Sequence, residues 1–508
     1  MRIEPDGEQH PAAAKAAEDD HTEPDPPDDD RGEPDPPAEA EPKPRRRRGL
    51  LLPGLAVLVV VAVGVALALP DVSNRLGLPW APNAPQGDPP EPVAVSRQLQ
   101  GPNASAPAPT AAGVGAALAG PAADPALGTL TGSVIDPATG RTLWERAPDQ
   151  PITPASTTKV LTAAAALLAL DHGSRLSTKV VQGPEPGTVV LVGGGDVTLS
   201  SLPRGQESVY SGAAHLDDLV EQVRTATGGN VNEVRLDLTA FAGGTTAPGW
   251  APEDAPSTYA APVVAAMLDG GRTDPADDGS ERVGNPGAVL AQEFAGRLGA
   301  RVGSLEATAP QGARLLGEVR SAPLTDLVDH LLLTSDNLLA DVVQRQVAIA
   351  TGHEPSFAGA GQATLEVLRR NGFDVRGATL SDGSGLSTNN KVPARLLADV
   401  LAVAAAPDGT ADERTRKLRP LLGGLPVAGG SGTLEGRYDE GVATQGRGWV
   451  RAKTGTISSS GTNTLAGLVL DSDGRVLVFA LLTAGSDTST GRAALDTITA
   501  TLRGCGCR

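Results

Sequence analysis

Ser156 and Lys159 stand three residues apart in the stretch PITPASTTKV, just before an alanine-rich run that predicts a helix. On a helix this spacing puts both side chains on one face, one turn apart. A serine hydroxyl becomes a nucleophile when a base takes its proton, and lysine can be that base if its amine is neutral. Arginine cannot replace it, because a guanidinium does not deprotonate. Taken alone, the pair also fits a helix cap beside a solvated lysine.

Two further triplets each occur once in the chain. Ser335-Asp336-Asn337 falls where a helical pattern breaks, and Lys453-Thr454-Gly455 falls in a predicted strand. Alone, the first is also an ordinary loop and the second an ordinary strand end. Together, in the order Ser-x-x-Lys, Ser-Asp-Asn and Lys-Thr-Gly, they resemble the motif set of penicillin-binding proteins and serine β-lactamases.

The similarity extends beyond the triplets. The chain resembles the D-alanyl-D-alanine carboxypeptidase/endopeptidase family, the class C low-molecular-mass penicillin-binding proteins, from about 128 to 502. The stretches that carry it are PASTTKVLTAAAAL, LVGGGDVTL, TSDNLLAD, DGSGLS, SGTLEGR and VRAKTGT. Two stretches depart from the family pattern: LLAD at 338–341 stands where a glutamate is frequent, and GGGDV at 193–197 where a proline is common.

The resemblance implies a serine peptidase that works through an acyl-enzyme. Ser156 would attack the carbonyl between two D-alanines, and Lys159 would accept the proton of its hydroxyl. Ser335 would pass that proton towards the leaving amine, and Asn337 would hold Lys159 and the substrate amide. Lys453 would add positive charge, which helps to keep Lys159 neutral and attracts the terminal carboxylate of the substrate.

The strand that carries Lys-Thr-Gly would also bind the substrate. By the same resemblance, Thr454 and Thr456 would hydrogen-bond the terminal carboxylate, and Gly455 would let the substrate lie close against the strand. The backbone N–H groups of Ser156 and Thr456 would form the oxyanion hole. The substrates would be peptidoglycan stem peptides, β-lactams would be covalent inhibitors, and neither a metal nor an organic cofactor is needed.

The expected fold is a transpeptidase-like α/β domain, with an antiparallel sheet between helical layers. Its two sequence parts, 126–177 and 313–504, would flank a smaller inserted α/β domain at 178–312. Within that insert, strand and helix patterns alternate, and the glycines before Asp196 are better explained by a tight turn than by a phosphate-binding loop.

The amino-terminal region predicts a tail, an anchor and a linker. Residues 1–48 are acidic and proline-rich, which favours disorder, and end in Arg45–Arg48. The next segment, 49–69, contains 20 consecutive uncharged residues, which span ~30 Å as a helix. The arginines place the tail in the cytoplasm and the catalytic domain outside, at the end of a Pro/Ala/Gly-rich linker at 70–125. The alternative is a signal peptide cleaved near ALA at 66–68, followed by secretion.

Other residue types exclude some functions. A net charge of −18 argues against a general nucleic-acid binder. The six histidines lack metal-ligand spacing, so we expect them to be structural or solvated. In the terminal tail at 505–508, Cys505 and Cys507 are separated by one residue, which predicts a strained disulfide at best and no contribution to the fold.

Two other functions compete with the peptidase. A β-lactamase needs a second base to hydrolyse the acyl-enzyme quickly, and no Glu-x-x-Leu-Asn follows Asn337. A non-catalytic wall-binding scaffold would have lost motif residues, and none is lost. The sequence leaves open carboxypeptidase against endopeptidase preference, protein partners and oligomeric state.

Overall fold

The computed structural model of the protein describes residues 51–76, 78, 80, 102–103 and 105–508. The predicted tail at 1–48 and most of the first half of the predicted linker lie outside these residues. The chain divides into two compact units, Met1–Arg97 and Gln98–Arg508. The second unit contains all three motifs: Ser-x-x-Lys, Ser-Asp-Asn and Lys-Thr-Gly.

The described chain forms the following helices: α1 Leu51–Ala68, α2 Pro70–Arg75, α3 Ala111–Leu118, α4 Thr158–Ala169, α5 Leu216–Thr227, α6 Pro286–Leu298, α7 Leu324–Leu333, α8 Asn337–Thr351, α9 Phe357–Arg370, α10 Ala394–Ala405, α11 Glu413–Leu418 and α12 Thr488–Gly504. Its strands are β1 Thr129–Asp136, β2 Arg141–Arg146, β3 Arg175–Gln182, β4 Thr188–Gly193, β5 Asp196–Leu199, β6 Glu233–Asp237, β7 Ala266–Leu268, β8 Arg301–Val302, β9 Leu315–Pro323, β10 Val450–Ile457, β11 Thr462–Leu470 and β12 Val476–Ala484.

A five-stranded antiparallel sheet of order β10-β11-β12-β1-β2 forms the centre of the larger unit. Successive side chains of a strand point to opposite faces of a sheet, and β12 is apolar on both. Ala480 and Leu482 belong to one buried cluster, whereas Phe479 and Leu481 belong to the other. A strand that is buried on both faces must be covered by two layers.

Helices supply both layers. The cluster on one face contains buried side chains of α4, α7, α8, α9 and α10, and the cluster on the other face contains those of α3 and α12. The predicted architecture, an antiparallel sheet between helical layers, is therefore confirmed. The predicted break in the helical pattern at Thr334–Asn337 is also present, since α7 ends at Leu333 and α8 begins at Asn337.

A second five-stranded sheet has the order β8-β6-β4-β3-β9 and mixes parallel with antiparallel pairs. It packs with α5 and α6 around its own buried cluster. The sheet runs from Arg175 to Pro323, so it overlaps the predicted insert at 178–312 and exceeds it at both ends. The insert as a separate domain with those boundaries stays a prediction.

The segment predicted as an anchor is helical from Leu51 to Ala68, as α1. Within the described residues, however, no helix combines the length and the apolar character that crossing a membrane requires.

Two predictions at the edges of the larger unit are wrong. The linker was placed as far as residue 125, but α3 lies within that stretch, and Val114 and Leu118 are fully buried. Cys505 and Cys507 are also buried, joined as a disulfide with Cα atoms 4.9 Å apart. Thr110 donates its backbone N–H to the Cys507 carbonyl at 2.7 Å, so the carboxyl terminus holds the start of α3. Alanine-rich composition hid this helix, because its apolar face consists of only a few side chains.

Replacing Leu118 with alanine tests whether α3 belongs to the core. We expect Leu118→Ala to lower the free energy of unfolding by about 2–5 kcal/mol, because it leaves a cavity at a fully buried site. Leu315→Ala is the matched control, since that leucine is 52% exposed and should cost much less. Urea unfolding of the full chain measures both values. Equal losses for the two variants would mean that α3 does not pack in the core and belongs to the linker, as the sequence predicted.

Candidate active site

Ser156 lies in a single 3₁₀ turn, Ala155–Thr157, that leads directly into α4. The turn is constrained on both sides. Ala155 has φ of +47°, a left-handed conformation that non-glycine residues rarely adopt, and Thr464 of β11 donates to the Pro154 carbonyl at 2.9 Å. The turn is therefore pinned to the edge of the central sheet, with the Ser156 hydroxyl at the start of the helix.

Lys159 is the point where three segments of the chain meet. Its Nζ lies 3.0 Å from the Ser156 Oγ, 2.6 Å from the Asn337 Oδ1 and 2.7 Å from the Ser384 carbonyl oxygen. The structure thus brings Ser-x-x-Lys and Ser-Asp-Asn together, as the sequence predicted. The contact with Ser384 was not predicted, although the DGSGLS stretch that contains it was one of the stretches shared with the family.

The Lys-Thr-Gly triplet joins the site through Ser335. Lys453 of β10 donates to the Ser335 Oγ at 2.8 Å and to the Thr454 carbonyl at 3.0 Å. Ser335 has φ of +66°, so this residue too is held in a rarely populated conformation. The five residues predicted as catalytic therefore form two contacting groups, Ser156-Lys159-Asn337 and Ser335-Lys453, joined by the continuous backbone of the Ser-Asp-Asn loop.

The middle residue of that loop is anchored from the predicted insert. The Asp336 Oδ2 accepts a hydrogen bond from the Tyr210 hydroxyl at 2.8 Å and lies 3.2 Å from Arg272 and 3.5 Å from Arg282. Its Oδ1 caps α8 by accepting the Leu339 N–H at 2.9 Å. Burial acts to raise the pKa of Asp336, but the two guanidiniums outweigh it and hold that pKa far below its usual range. Asp336 is thus a fixed anion between two fixed cations.

One histidine has acidic neighbours that the sequence did not reveal. The side chains of Asp278, His330 and Asp336 place possible ligand atoms within 4.8 Å of one another. Arg272 and Arg282 already contact the Asp336 carboxylate, so a metal cation there would be repelled by two guanidiniums. We therefore interpret these three residues as part of the network that anchors the loop, and not as a metal site.

The strand β10 forms one wall of the site. Thr454 donates to the Thr433 hydroxyl at 2.8 Å, and the Thr456 hydroxyl lies 3.4 Å from the Asn463 Oδ1. A Cβ on Gly455 would lie 2.3 Å from the Thr464 Oγ1 and 2.9 Å from the Ser156 backbone nitrogen. Glycine is thus required here for the close approach of β10 to the nucleophile turn, a reason that differs from the close substrate approach predicted from the sequence.

A buried acidic residue supports the Ser384 carbonyl. Asp341, the last residue of LLAD, accepts the backbone N–H groups of Gly383 at 2.7 Å and Ser384 at 3.2 Å. Burial, and then the neighbouring Asp382, raise the pKa of Asp341 well above its usual value. A carboxyl group that is easily protonated attracts the nearby Lys159 amine less than a permanent anion would.

The electrostatics favour a neutral Lys159. Burial is the largest influence and lowers its pKa from 10.5 to about 8, although Asp341, Asp382 and Asp336 act to raise it. Burial also lowers the pKa of Lys453 well below the usual value, and the charge of Lys159 lowers it further. An amine next to the Ser156 hydroxyl can therefore lose its proton at mildly alkaline pH.

These residues surround a cavity of about 1000 Å³. Its wall includes Ser156, Ser335 and Asn337 from the first two triplets, together with Thr454, Gly455 and Thr456. The sequence did not single out several other residues of this wall: Trp250, Tyr259, Arg272, Arg282, Arg437 and Arg492. They come from loops and helix starts far apart in the chain. Of these six, Arg437 ends the SGTLEGR stretch shared with the family, and the other five lie outside the shared stretches. A cavity of this size is large enough for a peptide.

Comparison with known proteins agrees with this arrangement. The profile of the D-Ala-D-Ala carboxypeptidase 3 (S13) family matches residues 114–293 and 279–503. Carboxypeptidase DacB of Mycolicibacterium smegmatis is 44% identical over 467 residues, which cover 91% of this chain and 98% of that protein. The D-alanyl-D-alanine carboxypeptidase of Actinomadura sp. (strain R39) is 29% identical over 438 residues, which cover 68% of this chain and 76% of that protein.

Solved structures show the same fold. Penicillin binding protein 4 (dacB) from Haemophilus influenzae superposes with a TM-score of 0.62 at 22% identity, covering 77% of this chain and 98% of that one. The same protein complexed with a β-lactam gives a TM-score of 0.56 at 22% identity, covering 74% and 95%.

The lowered pKa of Lys159 predicts a pH profile. If neutral Lys159 takes the Ser156 proton, the rate constant for acylation by benzylpenicillin should rise with pH, about tenfold per unit up to about pH 8, and then level off. Mass spectrometry of the acylated protein between pH 6 and 9 measures this rate. Lys159→Arg should not be acylated at any of these pH values, with circular dichroism to show that it is folded. A flat profile for the wild type would contradict the assignment of Lys159 as base.

Proposed function

The chain belongs to the D-Ala-D-Ala carboxypeptidase 3 (S13) family and is a serine-type D-Ala-D-Ala carboxypeptidase, and from that premise we propose which residues carry the reaction. Ser156 is the nucleophile, Lys159 its base, and Ser335, Asn337 and Lys453 complete the catalytic set. The observation that carries this proposal is the hydrogen-bond contact of Lys159 with both Ser156 and Asn337.

The first half of the reaction forms the acyl-enzyme. The Ser156 Oγ attacks the carbonyl carbon of the penultimate D-alanine while its proton passes to the neutral amine of Lys159. The backbone N–H groups of Ser156 and Thr456 stabilise the oxyanion, where one such donor contributes roughly 3 kcal/mol. Ser335 relays a proton to the leaving nitrogen, and the C–N bond breaks to release D-alanine.

The second half of the reaction is hydrolysis. Water attacks the Ser156 ester, and the stem peptide leaves with a D-alanine carboxylate at its new end. A β-lactam follows the same first half, because its ring amide imitates the bond between the two D-alanines. Its ring stays attached as an acyl group, and without an additional base that group should be hydrolysed slowly. We therefore propose that this protein binds β-lactams covalently. The Haemophilus influenzae protein of the same fold has been solved in complex with a β-lactam.

Covalent labelling tests the nucleophile. Wild-type protein incubated with a labelled penicillin should gain one acyl group on the peptide that contains Ser156, whereas Ser156→Ala should gain none. Ser472→Ala is a suitable control, because Ser472 is exposed outside the cavity wall and the substitution should leave labelling unchanged. Labelling of Ser156→Ala at the wild-type rate would refute the assignment. Loss of the label within seconds would instead indicate a β-lactamase.

We also propose that the segment 49–69 attaches the protein to the cell membrane, with residues 1–48 in the cytoplasm and the catalytic domain outside. Two observations support it. Leu50–Leu69 is free of charged residues and follows four arginines. Five valines of α1 are each more than half exposed: Val59, Val60, Val61, Val63 and Val65. The compact unit that contains α1 therefore leaves these apolar side chains uncovered.

Protease protection distinguishes anchoring from secretion. In cells stripped of their wall, added protease should degrade the catalytic domain and leave an amino-terminal fragment that contains 1–48. The fragment is protected because the membrane separates it from the protease. A mature protein that begins near Leu69 and is recovered from the medium would show that the segment is cleaved, and anchoring would then be wrong.

A further inference from the structure

Arg492 lies near the start of α12, and its guanidinium faces the strand that carries the Lys-Thr-Gly triplet. Its Nε and Nη2 donate to the Thr456 Oγ1 at 3.2 and 3.0 Å. The residue is partly accessible to solvent, and it lines the same cavity as Ser156. A guanidinium therefore lies beside the hydroxyl that the proposed function assigns to the terminal carboxylate of the substrate.

The charges around the cavity single out this arginine. Four arginines line the cavity, and three of them already form ion pairs. Arg272 and Arg282 lie against Asp336, and Arg437 donates to Asp496 at 2.6 Å. Arg492 forms no ion pair with any carboxylate of the described chain. It is the cavity arginine whose charge is left for a ligand.

The surroundings of Arg492 make an anion favourable there. Partial burial, and then the positive charge of Arg437, lower the pKa of Arg492. Both effects oppose the charged form, and an anion bound next to the guanidinium would relieve them. Lys453, which the family resemblance led us to expect in this role, is a poorer partner for such an anion. It is fully buried, it does not line the cavity, and its amine is already hydrogen-bonded to Ser335.

We infer that Arg492, together with Thr456, binds the α-carboxylate of the residue that leaves, and so selects substrates in which that carboxylate is free. A guanidinium matches a carboxylate with two parallel hydrogen bonds, and the Thr456 hydroxyl can turn to donate a further one. This inference rests on the proposed function, which places the terminal carboxylate at Thr456. Arg492 contacts only the leaving residue, so it determines specificity and takes no part in the proton transfers.

A carboxylate site at Arg492 and Thr456 would select one class of substrate. The preferred bond is the one between two D-amino acids in which the second residue has an unmodified α-carboxylate. That condition is met by a free D-alanine end, and by a cross-link only when the leaving amine carries a neighbouring carboxylate. Peptides in which this carboxylate is amidated should be poor substrates for the wild type.

A pair of peptides that differ only in this group provides the test. Nα,Nε-diacetyl-Lys-D-Ala-D-Ala has the free carboxylate, and its carboxyl-terminal amide does not. We expect Arg492→Ala to lower kcat/KM for the acid about 10- to 100-fold, the size of one charge-assisted pair, and to change the amide by no more than about twofold. Arg492→Lys should restore part of the loss, because it keeps the charge without the fork of two donors.

Arg451→Ala is the matched control, since Arg451 is exposed on the same strand as Thr456 but does not line the cavity, and it should leave both rates unchanged. An acid-to-amide ratio that Arg492→Ala leaves at the wild-type value would overturn the inference. Equal losses on both peptides would also overturn it, because they would mean that Arg492 only positions β10. Penicillin labelling distinguishes failure of the proposed function from failure of this inference. If the wild type is not acylated at Ser156, the proposed function is wrong. If acylation is normal but Arg492→Ala leaves the acid-to-amide ratio of kcat/KM unchanged, only the role of Arg492 is wrong.

Discussion

Burial of the Lys159 amine is the constraint on which the rest of the site depends. An amine withdrawn from water prefers to be neutral, and a neutral amine is what the Ser156 hydroxyl needs as a partner. The same nitrogen must still satisfy its hydrogen bonds, and it does so with Asn337 and with the Ser384 carbonyl. Two segments far apart in the chain are thus required to meet the nucleophile helix at one atom.

Acidic groups near Lys159 act to raise its pKa, and the structure limits two of them in different ways. Asp336 keeps its charge, but that charge is compensated by Arg272 and Arg282. Asp341 has a raised pKa, so its carboxyl group can become neutral. An aspartate that is paired with arginines, or that is easily protonated, attracts the Lys159 amine less than an unpaired carboxylate would. Burial therefore remains the largest influence on the pKa of Lys159. The stretch at 178–312 therefore serves the catalytic centre at a distance, because both arginines belong to it.

The sequence predicted the part of this site that is local or encoded in motifs. Spacing alone placed Ser156 and Lys159 together, and the break in the helical pattern located the Ser-Asp-Asn loop correctly. Arg272 and Arg492 could not be predicted, because their roles depend on loops and helix ends that approach the site only after folding. Composition was misleading for α3, where small side chains imitated a linker, and for the cysteines, whose burial depends on contacts with that helix.

The conformations of Ala155 and Ser335 show how the fold maintains these contacts. Each residue has a positive φ, which costs of order 1–3 kcal/mol for a residue with a side chain. Such a conformation persists only when its surroundings leave no alternative. Around Ala155 the backbone approaches Gly385 so closely that a Cβ there would lie 1.9 Å from the Ala155 carbonyl oxygen. At Ser335 the next residue is held by a tyrosine, two arginines and the first turn of α8. Both serines are thus positioned by rigid neighbours before any substrate arrives, so binding energy need not be spent on arranging them.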